Sequence, residues 1–421
     1  MSIVLGAIAD DFTGATDLAG TWVKEGVKTV QTVGVPGGGT DIGDAEAVVV
    51  ALKSRTAPVA EAVSRSLEAL HWLRKAGARQ VVFKYCSTFD STRNGNIGPV
   101  ADALTDALDA DFALVCPAFP TNGRTVYRGY LYVGDMLLSE SPMKDHPLTP
   151  MRDSSLVRLM AAQSRGRVGL VPLQDVSAGV ECILSRIAAL KADGVRYGVI
   201  DAVADADLRL IGEAASDHKL VTGGSGIGMG LPENFRRSGL LSAGSPPALP
   251  ETAGREVVLA GSCSAATRAQ IAAVKGLWPA RKLDPDGLAA GSGEVEDAIA
   301  WALARPADEP ILVYASAGPE EVSAVQARYG VEQAGRMFES AFERIAAVLS
   351  GNGFSRFVVA GGETAGAVVS ALGVTVLRIG PEIAPGVPWT EAVGDRPLAL
   401  ALKSGNFGSK TFFANALGML P

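Results

Sequence analysis

The chain has little of what several specialised protein classes require. Its 421 residues include four cysteines, Cys86, Cys116, Cys182 and Cys263, and none forms a close C-x-x-C pair. Neither a zinc site nor a disulfide framework is indicated, and free thiols in a reducing compartment are expected. Histidine occurs three times and aromatic residues make up 6%. No apolar run reaches the roughly 18 uncharged residues of a membrane span. The opening segment MSIVLGAIADDF is interrupted by two aspartates and lacks a basic start, so it does not read as a secretion signal and a cytoplasmic location is expected. No block of Lys and Arg stands out and the net charge is -7, which argues against nucleic acid as a partner.

What is present is an ordinary globular composition, 48% hydrophobic and 20% charged, over a length that suggests two domains. Short apolar runs alternate with helical patterns: IVLGAIAD, VKTVQTVG, AVVVAL, QVVFKYC and FALVCPA in the first half, and REVVLAGS, PILVYAS, RFVVAGG, VTVLRIG and LALALKS in the second. This spacing predicts an α/β fold of two domains, each a largely parallel sheet flanked by helices. The Pro/Gly/Ser-rich stretch RRSGLLSAGSPPALPE reads as a linker, giving domains over 1–235 and 256–421 with the linker over 236–255. Residues 121–153 are rich in Gly, Pro, Tyr and charge and show no period, which favours a functional insertion or lid.

Three segments share a design of strand, small-residue turn and helix: VVLAGSCSAATRAQ, FVVAGGETAGAVV and LALALKSGNFGSKTFF. Such turns lie at the C-terminal edge of a parallel sheet, where helix N-termini and glycine let phosphates approach the backbone. The last segment is not a P-loop, because Ser409 stands directly before Lys410 and Ser404 stands where the first glycine is needed. VTGGSGIGMGLP has alternating glycines at Gly224, Gly226, Gly228 and Gly230, but no acidic residue follows at the distance a dinucleotide loop requires, and it reads as a flexible segment near the domain boundary.

In the first half, AIADDFTGATD places Asp10 and Asp11 between a strand and a helix. Two adjacent carboxylates there are costly unless something positive or hydroxylated binds them, although one could cap the helix. KYCSTFDSTRNGNIGP crowds Lys84, Ser87, Thr88, Asp90, Ser91, Thr92 and Arg93 at another strand exit. Lys84 or Arg55 could neutralise a carboxylate there while the hydroxyls take up a polyhydroxylated ligand. Arg124, Arg128, Arg152 and His146 fall in the irregular stretch; His146, like His71 and His218, is read as structural or superficial rather than catalytic.

Taken together, AIADDFTGATDLAG, KYCSTFDSTRNGNIGPV, CPAFPTNGRTVYRGYLYVGD, HPLTPMRD, AGSCSAATRAQ, VVAGGETAGAVV, IGPEIAPGVPW and LALALKSGNFG resemble the four-carbon acid sugar kinase family, and within it the 3-oxo-tetronate kinases. The resemblance implies an N-terminal acid-sugar domain, a C-terminal nucleotide domain that is not a P-loop fold, and an active site in the cleft between them. It implies transfer of the ATP γ-phosphate to the 4-hydroxyl of a 3-oxo-tetronate, with Mg2+ assisting and metal ligands unassigned. ATP contacts would fall on Ser262 or Ser264, on Gly361, Gly362, Glu363 and Thr364, and on Gly405. Substrate contacts would fall on Asp11, Arg55, Lys84, Ser87 and Thr88, with Asp11 the candidate base and Asp10 second. The alternatives are kinases of D-threonate or erythronate and, more remotely, an NAD-dependent hydroxy-acid dehydrogenase. The partners implied are the acid sugar and ATP, without nucleic acid or membrane; a homodimer is left open.

Overall fold

The computed structural model describes residues 3–146, 148–242, 244, 247–394 and 396–421. Ala243, Ser245 and Pro246 of the expected 236–255 linker, and Pro147 of HPLTPMRD, therefore lie outside the described residues. The chain divides into two units, Met1–Pro246 and Pro247–Pro421.

The first unit is built on the strands β1 (Leu5–Ala9), β2 (Thr29–Val33), β3 (Ala47–Ala51), β4 (Gln80–Lys84) and β5 (Ala113–Cys116). A small sheet follows, made of β6 (Arg124–Tyr127), β7 (Tyr130–Val133) and β8 (Met136–Leu137), before β9 (Arg167–Val171), β10 (Val195–Ile200) and β11 (Leu220–Gly223) complete the main sheet. The main sheet runs β2-β3-β1-β4-β11-β5-β10-β9, with neighbouring strands parallel. β1, β3 and β4 are buried at every residue, as strands covered by helices on both faces must be. The first helix, Phe12–Lys24, buries Phe12, Ala15, Thr16, Ala19, Trp22 and Val23, a spacing of three and four residues that forms a single stripe.

Two readings of the first half change. Residues 121–153 contain the antiparallel meander β6-β7-β8 rather than irregular chain. Its first turn pairs Tyr127 with Tyr130, and the two residues between them, Arg128 and Gly129, have φ of 54° and 74°. Both lie in the left-handed region that a tight hairpin needs, yet Arg in the first position hides the usual Asn-Gly or Asp-Gly signal. The segment VTGGSGIGMG is not flexible either. Its start is β11, and Ser225, Gly226, Ile227 and Gly228 are buried, with Gly228 close to Leu18 and Trp22.

The second unit contains β12 (Arg255–Ala260), β13 (Ala280–Lys282), β14 (Ile311–Tyr314), β15 (Phe354–Ala360), β16 (Val376–Ala384), β17 (Val387–Ala392) and β18 (Ala399–Lys403), in the order β13-β14-β12-β15-β18-β17-β16. The first five of that order pair in parallel, while β17 is antiparallel to both β18 and β16. β17 is absent from the sequence reading because Pro385 just before it and Pro388 within it argue against a strand there. One core face gathers Val258, Ile271, Leu312, Val358, Phe412 and Phe413 around Trp389. Among the described residues, no helix is long and apolar enough to cross a membrane.

Trp389 is fully buried and its indole N–H donates to the Ala416 carbonyl at 3.0 Å. Trp389→Ala is expected to destabilise the second unit by about 3–5 kcal/mol, from lost burial plus the cavity left behind. Urea unfolding of the variant against wild type measures this.

Candidate functional site

In both units the register of the parallel strands decides which residues meet. In the first, Ala9 pairs with Lys84 and Ala51, Lys84 with Gly223, and Gly223 with Cys116. The residues that follow, Asp10, Tyr85, Gly224 and Pro117, therefore leave the sheet on one edge. In the second, Ala260 pairs with Tyr314 and Ala360, and Ala360 with Lys403. The turns beginning at Gly261, Ala315, Gly361 and Ser404 share that edge.

In the first unit Asp10 and Asp11 meet Arg55, as two adjacent carboxylates require. Arg55 Nε donates to Asp10 Oδ2 and one terminal nitrogen to Asp10 Oδ1, both at 2.9 Å. The same nitrogen lies 2.9 Å from Asp11 Oδ1, and the other lies 3.5 Å from Asp90 Oδ2. Arg55 is held in place by its loop: the amides of Ser54 and Arg55 donate to the Asp10 carbonyl, and the Asn96 side chain donates to the carbonyls of Ser54, Arg55 and Ala57. Asp90 comes from a strained stretch in which Phe89 and Asp90 have φ of 66° and 47°, both left-handed. Thr88 donates to Asp90 at 2.7 Å. Backbone in that region costs of order 1–3 kcal/mol per residue and concentrates at functional sites.

Asp11 is also the N-cap of the first helix, accepting from the Gly14 amide at 3.1 Å and from the Thr13 hydroxyl at 3.1 Å. Burial pushes its carboxyl up, but Arg55, Lys84 and these hydrogen bonds outweigh that and hold it below the usual carboxylate range. Asp10 goes the other way: burial raises it despite Arg55. Asp11 is thus the readily ionised, half-buried member of the pair, with 29% of its side chain exposed against 7% for Asp10. Lys84 is buried and donates to the Tyr85 carbonyl at 2.8 Å. Gly14 faces it closely; a Cβ there would lie 2.2 Å from Asp11 Oδ1 and 2.7 Å from Lys84 Nζ. Ser87 is half-buried with no protein hydrogen-bond partner among the described residues, whereas the Thr88 hydroxyl is buried and already donates to Asp90.

The structure therefore brings together Asp10, Asp11, Arg55, Lys84 and Thr88, ties in Asp90, which the sequence reading gave no role of its own, and adds Asn96, which it did not single out. Asp17, nearly two helical turns beyond Asp11, also joins; its Oδ2 accepts from Ser225 at 2.5 Å, and burial raises its carboxyl above the usual range. His146 stands apart, its Nδ1 beside Thr149 at 3.0 Å, while His218 is packed on Phe112. The Arg128 amide donates to Asp201 at 2.7 Å, a bond that holds the hairpin rather than the cluster.

In the second unit the turns interlock. Ser264 caps helix Ala265–Val274 by accepting from the Thr267 amide, and its hydroxyl donates to the Gly405 carbonyl at 2.6 Å. Thr267 donates to the same carbonyl at 2.9 Å. The Gly361 amide donates to the Lys403 carbonyl at 2.9 Å. Gly362–Ala371 begins a second helix, with Thr364 buried and Glu363 exposed. A Cβ on Gly405 would lie 2.2 Å from Ser262 Oγ, so only glycine lets these turns close on each other. Ser262, Ser264, Gly361, Thr364 and Gly405 are thus neighbours, and two helix N-termini open beside them, an arrangement suited to anions. Lys403 is the residue missed, because its place at the end of the apolar run LALALK made it look like a strand edge. It is fully buried, and burial alone lowers its ammonium to about 8.

Residues 5–231 match the family model of a sugar-binding N-terminal domain, and residues 257–413 that of a nucleotide-binding C-terminal domain. The chain is 58% identical over 425 residues to a Cupriavidus necator protein named 3-oxo-tetronate kinase, covering 99% of this chain and 97% of that one. It belongs to the four-carbon acid sugar kinase family. A Pseudomonas fluorescens protein of the same name is 55% identical over 419 residues, covering 99% of this chain and 97% of the relative. A crystal structure from Salmonella typhimurium LT2, described as a candidate tRNA synthase, superposes with a TM-score of 0.92 at 45% identity over 99% of each chain.

Gly14→Ala tests the first cluster. The substitution favours the helix by about 1 kcal/mol yet puts a methyl group against Asp11 and Lys84. Turnover of an acid sugar is expected to fall at least about tenfold, by loss of substrate contacts, while nucleotide affinity holds. A coupled ADP-release assay and calorimetry measure the two.

Lys403 provides a pH test. Its folded-state pKa, about 8, lies below the ordinary lysine value of 10.5, so the unfolded chain binds the extra proton between those limits. Stability therefore rises with pH across that window, by up to about 3 kcal/mol, relative to Lys403→Met. Denaturant titrations of both proteins at pH 7.5 and 10 measure the difference.

Proposed function

We propose that this chain transfers the γ-phosphoryl group of ATP to the 4-hydroxyl of a 3-oxo-tetronate. The observation that carries the reading is the shared edge of the second unit, where the turns at Ser262, Gly361 and Gly405 come together beside two helix N-termini within a segment that matches a nucleotide-binding domain. The sugar-binding domain supplies the acceptor side, and the relatives' name supplies the acid sugar.

In the transfer, the bond from the γ-phosphorus to the β-phosphate oxygen breaks, a bond from the substrate 4-oxygen forms, and the hydroxyl proton leaves. The transition state is loose, so orientation and charge matter more than a strong base. Asp11 is ionised and fixed by Arg55, Thr13 and Gly14, and it orients the hydroxyl and takes its proton. Asp10 holds Arg55 from behind. Lys84 and Arg55 give the site its positive charge for the substrate carboxylate, and Ser87 and Thr88 face the hydroxyls. On the nucleotide side, Ser262, Ser264, Gly361, Gly362, Thr364 and Gly405 receive the phosphates.

Mg2+ accompanies the nucleotide in this reading. Among the described residues no three His, Cys, Asp or Glu side chains are gathered to hold a metal, which fits an ion carried by phosphate oxygens with one or two carboxylates, Glu363 being the candidate on this chain. It would neutralise phosphate charge. The reaction is placed in the cytoplasm, where ATP is at hand.

ADP release measured over a panel of four-carbon sugar acids, with and without their 3-oxo forms, tests the reading. A 3-oxo-tetronate is expected to be the best acceptor. Faster turnover of D-threonate or erythronate would replace the substrate, and no ADP from any of them would overturn the activity. Asp11→Asn keeps the helix cap and is expected to lower turnover by about 10²–10⁴; turnover within a few-fold of wild type removes Asp11 from its role.

A further inference from the structure

Among the described residues Lys403 is a buried cation without a counter-ion. It is fully buried at the end of β18, and its Nζ donates to Thr267 Oγ1 at 3.1 Å, to the Ser404 carbonyl at 3.0 Å and to the Gly405 carbonyl at 3.0 Å. An ammonium has three donors, and all three end on neutral oxygens. The titratable and charged groups on the adjoining turns and helix are Cys263, Arg268, Glu363 and Lys410, and among the described residues none forms an ion pair with Lys403, whose ammonium burial lowers. An isolated buried charge of this kind is expensive unless another group or a ligand offsets it.

The same three bonds orient the turn. A trans peptide points its C=O and N–H in opposite directions. The Ser404 and Gly405 carbonyls both turn inward to the ammonium, and the Gly405 carbonyl also accepts from Ser264 and Thr267. The amides of the same two peptide units, those of Gly405 and Asn406, therefore point away from the lysine. Neither has a protein acceptor among the described residues. Consecutive unpaired amides backed by a positive charge form an anion-receiving concavity.

We propose that Lys403 is a positioning residue for the nucleotide: it turns the Gly405 and Asn406 amides toward a phosphate and supplies the buried positive charge which that phosphate offsets. The inference deepens the kinase reading above and rests on it. Lys403 does not touch the phosphate itself; it acts through the two peptide units and through its field. The bound anion in turn stabilises the charged lysine, so the two are linked.

The test is calorimetric titration of the full-length protein with a non-hydrolysable ATP analogue and Mg2+, at pH 7.5 and 9.5. The terminal phosphate, with a second pKa of about 6, is fully ionised at both. Wild type is expected to bind about tenfold more weakly at pH 9.5, as Lys403 loses its proton. Lys403→Met is expected to bind at least about tenfold more weakly than wild type already at pH 7.5 and to lose the pH dependence. In turnover, the KM for ATP is expected to rise more than kcat falls, with the KM for the acid sugar unmoved. Equal affinity of the variant and wild type at pH 7.5, or a flat wild-type profile, overturns the inference; the wild-type arm stands even where the variant does not fold. Absence of nucleotide binding by wild type sinks the kinase reading and this inference together, whereas tight binding indifferent to Lys403 sinks this inference alone.

Discussion

Parallel strands bound in register finish on one line, and that constraint sets everything chemical about this molecule. A strand one residue longer or shorter would present its neighbour's turn a few ångströms off and on the opposite face of the sheet. Ala9, Lys84 and Gly223 finish level in the first unit, and Ala260, Ala360 and Lys403 in the second. Groups far apart in sequence, such as the side chains of Asp10 and Arg55 or the Ser264 hydroxyl and the Gly405 carbonyl, are brought within hydrogen-bond reach by it. The helices that follow then open at the same edge.

The two units handle buried charge in opposite ways. Around Arg55 the first gathers Asp10, Asp11 and Asp90, an excess of carboxylate tempered by Lys84. One carboxylate is thereby kept readily ionised and another is pushed toward its neutral form. Such a divergence in neighbouring acids is a common mark of a reactive centre. The second unit buries Lys403 among neutral oxygens only. A polyanion suits such a surface, because the cation behind the turn has no acid to satisfy it.

The alternation of apolar runs and helical patterns was enough to read the α/β character and most strands of both main sheets. Asp10 and Asp11 were legible because paired carboxylates at a strand exit demand a partner, and the glycine turns because phosphate binding needs bare backbone. Register was not legible, so Asn96 and Asp90 could not be tied to Arg55 from spacing alone. β6 to β8 escaped because Arg128 occupies a turn position usually held by Asn or Asp. β17 escaped because Pro388 is its second residue, and Lys403 because a lysine ending an apolar run normally reaches solvent. In each case tertiary contacts overrode a sound local preference.

Asp11 carries a double duty with an evolutionary edge. It begins the first helix, a contribution of about 1 kcal/mol at such a position, and it also stands at the reactive edge. A descendant that had lost all activity would still be selected to keep a capping side chain there. Retention of an aspartate at position 11 in a distant cousin is thus a weak sign of catalysis. Glycine at position 14 is no independent sign, because a Cβ there would lie 2.2 Å from the Oδ1 of the capping Asp11, so the cap alone keeps that position bare.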